Sequence, residues 1–305
     1  MALQRWWTVL KDAASLWSSK HAFQLAGALA FYTLFSAAPL LIIVVTMTGV
    51  FFGEDAMRGE VATQMAQFIG PDAAEVLESA VRRTRIAEAG ILPTLLGVGA
   101  ILFGSTTVFA QLQASLNQMW DVKPRPNRSG IVVFLLTRLV SFGMVLVVGF
   151  LLLVSFLSSL ALRALATFAG EWIPIPPSAA AGLDVVLSLG VATVLFAFLF
   201  KVLPDVELAW RDIGLGALVT GVLFIAGQYL ISLYLTQAGT ASLYGAAGSL
   251  VALLMWVYYS SLILLFGAAF TRTSVWARGK TIQPSAGAVK VTTRVVEEPN
   301  AKGPP

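Results

Sequence analysis

Residues 213–271 read IGLGALVTGVLFIAGQYLISLYLTQAGTASLYGAAGSLVALLMWVYYSSLILLFGAAFT, 59 positions without Asp, Glu, Lys or Arg. One helix crosses a bilayer in about 20 apolar residues, so this run predicts two crossings joined by a tight turn. Gln237-Ala238-Gly239-Thr240 supplies the turn, with Gly and polar side chains between two apolar stretches. Working outward, charge-free runs at 22–53, 89–120, 139–162 and 185–200 predict four more spans. The six helices fall near 25–52, 91–118, 131–158, 179–200, 213–235 and 244–270. The expected fold is all-α: a polytopic membrane protein with six transmembrane helices, an N-terminal interfacial helix and a helical outer loop.

Composition agrees. Of 305 residues, 57% are hydrophobic and 12% charged, with mean hydropathy +0.82. A soluble domain carries about 25% charged residues to face water. Half that charge excludes a soluble enzyme and a nucleic-acid-binding domain. The absence of Cys excludes disulfides and thiolate chemistry, and the single His21 excludes a multi-histidine metal site. No metal or cofactor is expected, and no catalytic residue: a nucleophile–base pair is missing, and the Gly97/Gly99/Gly104 cluster lacks the Lys of a phosphate loop.

An even number of spans places both termini on one side. That side carries fourteen Lys and Arg against five opposite, which predicts cytoplasmic termini.

Three segments lie outside the spans. In residues 1–24, Trp6, Leu10, Ala13 and Trp17 share a helical face, which predicts an amphipathic helix lying on the cytoplasmic leaflet. Loop 53–90, outside the 25–272 membrane domain's six helices, carries an apolar stripe at Met57, Val61, Met65 and Phe68, and Gly70-Pro71 divides it into two helices. Its 54–88 portion reads as a lid, a docking surface for an envelope protein or a packed hairpin. Residues 273–305 have few large apolar side chains and are expected to be a disordered cytoplasmic tail.

Polar groups within the spans mark a candidate substrate pathway. Span 1 holds Tyr32, Ser36 and Pro39, whose ring frees carbonyls one turn back. Span 2 ends in a stripe at Gln111, Ser115 and Gln118 and a second at Gln113 and Asn117. Arg138 sits in span 3, and Lys201 and Asp205 flank Pro204 after span 4. Tyr244 opens span 6, and Tyr258 and Tyr259 lie near its middle. Helix packing, snorkelling and interfacial helix ends are the structural alternatives for these residues.

Four segments together resemble the YihY/BrkB family of bacterial inner-membrane proteins. They are Ala28 to Ser36 with Pro39; Gly104 to Gln113 leading to Asn117 and Trp120; Leu203-Pro204-Asp205 with Trp210-Arg211-Asp212; and Tyr244 to Ser249 through Trp256 and Tyr258 to Gly267-Ala268. The resemblance implies an inner-membrane, multi-pass protein of the envelope with six spans. Some members have carried a ribonuclease label, which this chain does not support: it has no metal-ligating cluster and no soluble basic surface. It also departs from many relatives in lacking an acid after Gly267-Ala268, where Ala269-Phe270-Thr271-Arg272 stands. The resulting expectation is a transporter or flippase of a lipid or other amphiphile, with membrane lipids as partners. The alternative is a non-catalytic scaffold or regulator acting through 54–88. The sequence leaves the oligomeric state open.

Overall fold

The computed structural model describes residues 2–36, 91–125, 138–144, 146–147, 150, 177–238 and 246–292. Loop 53–90, Pro39 and Tyr244 lie outside the described residues. The helices are α1 (Ala2–Ser19), α2 (Ala22–Ser36), α3 (Ile91–Trp120), α4 (Pro177–Val202), α5 (Trp210–Ala238) and α6 (Ala246–Ala277), with further helical turns at 138–144. Four short strands follow helix ends: β1 (Val122–Pro124), β2 (Val206–Glu207), β3 (Gln283–Pro284) and β4 (Ala288–Lys290).

Helix length matches a bilayer with something to spare. α6 has 32 residues, and at 1.5 Å per residue it runs about 48 Å, against about 30 Å of hydrocarbon. Three described helices are long and apolar enough to cross: the windows Val185–Val202, Trp210–Ile231 and Leu253–Ala277. Only 22% of the α4 window is buried inside the fold, although it is the most apolar of the three. Val186, Val222, Tyr229 and Leu230 all stand exposed on α4 and α5. Apolar faces left this bare are solvated by lipid.

Small residues set how closely α5 and α6 approach. Thr271 of α6 fits the notch at Gly216, and Thr220 of α5 fits the notch at Gly267. Each hydroxyl is satisfied along its own helix, Thr220 Oγ1 donating to Gly216 O at 2.6 Å and Thr271 Oγ1 to Gly267 O at 2.7 Å. The pattern is a reciprocal glycine–threonine lock, the small-residue packing favoured where water supplies no driving force. Aromatic rings continue the seam from α4 to α6, with Phe196–Phe224 centroids 5.5 Å apart and Phe224–Trp256 5.3 Å apart.

α1 departs from expectation in what it packs against. Its buried positions are Val9 and Ala13, set against Phe270 of α6, while Leu10 is exposed. Trp17 donates its Nε1–H to Leu262 O at 3.1 Å, and Arg5 reaches Ala277 O at 2.5 Å. The helix runs antiparallel to the last turns of α6. Of the predicted face, Ala13 is buried and Trp17 partly so, both against protein, while Trp6 and Leu10 are exposed.

Residues 273–292 of the stretch expected as a disordered tail are structured. Residues 273–277 complete α6; beyond them, β4 pairs antiparallel with β1 (Val122 opposite Lys290) and β3 with β2 (Val206 opposite Pro284). Ser285 N–H donates to Asp205 O at 3.0 Å, and Val291 N–H to Asp121 O at 2.7 Å. The segment thereby straps the end of α3 to the α4–α5 connection. Backbone pairing supplies the stabilisation that its sparse apolar content does not.

Candidate polar cavity

The strap, the α1–α2 turn and the last turns of α3 enclose a partly open cavity of about 850 Å³. Along α3 it is lined from Ala110 to Gln118, a reach of about 12 Å at the helical rise. Two of its wall residues, His21 and Asp121, hold left-handed backbone conformations, with φ of 57° and 55°. Each ends a helix: His21 lies between α1 and α2, and Asp121 caps α3, a position where αL geometry closes the last turn.

At the inner wall, Asn117 and Asp205 bond reciprocally. Asn117 Nδ2 donates to Asp205 Oδ2 at 2.8 Å, and Asp205 N–H donates to Asn117 Oδ1 at 2.8 Å. Gln113 Nε2 lies 3.4 Å from Asp205 Oδ1. Gln113 Oε1 is buried and has no donor. One turn apart on α3, Gln113 and Asn117 thus hold a carboxylate from the α4–α5 connection.

A second charged group closes the other side. Asp121 accepts from Lys20 and from Arg272, whose Nη2 is 2.6 Å from Asp121 Oδ2. Arg272 is buried and also donates to Met119 O. Burial acts to raise the Asp121 pKa, but the hydrogen bonds and charges of Lys20 and Arg272 outweigh it and hold the carboxyl below its ordinary value. The cluster ties α1, α3 and α6 together. Asp212, at the start of α5, takes Lys280 at 2.8 Å and Arg278 at 3.1 Å, anchoring the strap nearby.

Of the residues expected to line a pathway, Gln113, Asn117 and Asp205 meet at this cavity. The others serve elsewhere. Lys201 Nζ donates to Leu208 O at 2.5 Å and braces the α4–α5 connection. Gln111 faces Ser115, 3.5 Å away, along α3. Ser36 is buried and bonds back to Tyr32 O at 2.7 Å, while Tyr32 itself is exposed. Tyr258 packs on the apolar core, and Tyr259 fills the notch at Gly227. Arg138 donates to Thr106 Oγ1 at 2.9 Å and Thr107 Oγ1 at 3.1 Å, with its guanidinium 4.1 Å from the Phe103 ring centre. It is thus held by α3, not simply extended to the interface. Lys20, His21, Asp121 and Lys123 are the titratable wall residues that sequence reasoning missed. Their one local signal was the αL-tolerant Asp directly after the apolar run ending at Trp120.

Long helices with bare apolar faces around a tightly packed seam define an α-helical integral membrane protein. The chain belongs to the BrkB family, since the family model described as "Virulence factor BrkB" matches residues 13–290. Among curated proteins it is similar to a UPF0761 membrane protein of Pseudomonas paraeruginosa, 25% identical over 85% of this chain and 62% of the relative. A UPF0761 membrane protein of Alteromonas mediterranea is 28% identical, over 81% of this chain and 80% of the relative. One of Pseudoalteromonas translucida is 25% identical, over 81% and 79%. The chain spans about six-tenths of the length of the Pseudomonas relatives, at 60–62%. No solved structure gives a significant match.

Proposed function

We propose that this chain is a non-catalytic, six-span inner-membrane transporter or flippase for a lipid or other amphiphile, with both termini cytoplasmic. The observation that carries the reading is the cavity. At about 850 Å³ it falls in the size range of small-ligand sites, roughly 300–1,000 Å³. Its walls combine carboxylates, amides and amines with the apolar surface of Ala110, Ala114, Val122 and Val291. A binding site with both characters suits a molecule that is itself half polar and half apolar. Its position at the ends of long apolar helices gives such a molecule's tail a place in lipid while its head enters the cavity.

The test is leaflet exchange of labelled phospholipids in liposomes containing purified protein, beside empty liposomes and an unrelated six-span protein. Exchange above both controls, reduced at least tenfold by Asp205→Asn in folded protein, supports the reading. Exchange no faster than the controls for every headgroup tried would refute it.

A further inference from the structure

The charges around the cavity do not all cancel within the protein. Lys20 and Asp121 face each other and are paired. That leaves Asp205 and Lys123, which line the same cavity and make no ion pair with described residues. Asp205 is held by amides alone, so its negative charge is oriented but not neutralised. Gln113, 8% exposed, turns its Nε2 to that carboxylate, and its own Oε1 is fully buried without a donor. Turning that amide over would bring Oε1 against the Asp205 carboxylate, where two acceptors repel, so the orphan oxygen is a consequence of the carboxylate's own needs. A partly exposed, unneutralised carboxylate on the wall calls for a positively charged N–H donor. An exposed ammonium on the rim calls for an anion.

We infer that the Asp205 wall binds a protonated primary amine, and that the full ligand is a zwitterionic headgroup of the aminoethyl-phosphate type, its ammonium on Asp205 and its phosphate on Lys123. A quaternary ammonium has no N–H to give the Asp205 carboxylate, so a choline headgroup makes no hydrogen bond there. An anionic glycerol headgroup brings no cation to Asp205. The choice of a lipid as the amine's carrier rests on the amphiphile reading above; the amine site itself does not.

The test is equilibrium binding to the full-length protein in detergent. The probes are short-chain phosphatidylethanolamine, phosphatidylcholine and phosphatidylglycerol, with free ethanolamine and sodium chloride as separate arms. Phosphatidylethanolamine is expected to bind at least tenfold more tightly than the other two lipids. Asp205→Asn should remove that preference, and Lys123→Ala should weaken the lipid several-fold while leaving free ethanolamine unaffected. Unchanged thermal midpoints and a single gel-filtration peak qualify each variant as folded, and Asp205→Ser gives a second route if Asp205→Asn is unstable. Equal binding of the ethanolamine and choline lipids, an undiminished preference in both folded wall variants, or occupancy by sodium ions alone would overturn the assignment. Free ethanolamine binding without lipid binding would keep the amine site and refute the lipid source. Selective lipid binding without leaflet exchange would keep the site and refute transport.

Discussion

The glycine–threonine lock allows a sharp test of the α5–α6 seam. In a lipid-facing helix, Gly→Ala should help, since Ala is favoured over Gly by about 0.5–1 kcal/mol in helix interiors. At Gly216 the structure reverses the sign. A Cβ there would overlap Thr271 Oγ1 and lie 3.0 Å from Thr271 Cβ and 3.3 Å from Gly267 O. Thr271 is fully buried, and turning its hydroxyl away breaks the 2.7 Å bond to Gly267 O. Overpacking of this kind costs about 1–3 kcal/mol, and a hydrogen bond between groups in a membrane bundle contributes about 0.6 kcal/mol. After subtracting the Ala preference, Gly216→Ala should destabilise by about 1–3 kcal/mol. Gly214, in the same turn, has nothing within 4 Å of a built Cβ, so Gly214→Ala should be neutral or stabilise by up to about 1 kcal/mol. Thr271→Ala combined with Gly216→Ala should recover at least half of the loss, because the overlapping atom is gone. Reversible unfolding in mixed micelles measures these three quantities and, with Thr271→Ala alone, closes the double-mutant cycle. Gly216→Ala as benign as Gly214→Ala, or additive with Thr271→Ala, would refute the lock.

Other expectations follow from the charged cluster, the strap and α1. Asp121→Asn leaves buried Arg272 without its counter-ion. Breaking a buried pair costs about 3–5 kcal/mol, reduced here to about 2 kcal/mol because the Asp121 side chain is 24% exposed. Because the folded Asp121 carboxyl titrates below its ordinary value, its contribution is present above about pH 4 and lost as pH falls through the lower folded value. Acid unfolding curves should therefore fall more steeply for wild type than for the Asn variant below about pH 4. Ala288→Asp buries a charge at a fully packed strand position, and protease cleavage after Arg278 should accelerate at least tenfold. Trp17→Ala, which deletes the bond to Leu262 O and the tilted ring contact with Phe23, should lower stability by about 2 kcal/mol and free α1 to early hydrogen exchange.

How much of this was legible depended on the range of the interaction that decides it. The 59-residue charge-free run marked α5 and α6 because lipid acts on every turn of a spanning helix, so the signal is local and repeated. The Gln113–Asn117 stripe was visible for the same reason: one helical turn of α3 carries both amides. Asp205 stood out as an acid beside a proline at a helix end. By contrast, Lys20, Asp121 and Arg272 are separated by 101 and 151 residues, and no periodicity joins them. The strands escaped notice because two or three residues of Gln-Pro or Ala-Val-Lys have no alternating pattern of their own. They become strands only when the ends of α3 and α4 offer unpaired backbone. For α1 the apolar stripe was visible, but Phe270 and Leu262, which decide that Val9 and Ala13 are buried and leave Trp6 and Leu10 exposed, lie some 250 residues away.

The strap also fixes a sequence of events during synthesis. Chains emerge N-terminus first, and domains fold as their parts become available. Asp205 and Asn117 are translated well before the residues that brace them, and Val291, part of the cavity wall, follows the last turn of α6. The helices can therefore enter lipid and pack while the cavity still lacks one side. A ribosome that stalls before residue 283 leaves the helices without the strap, and the cavity wall is completed only after α6 has been made. Assembly order thus keeps the site incomplete until the bundle around it has been made.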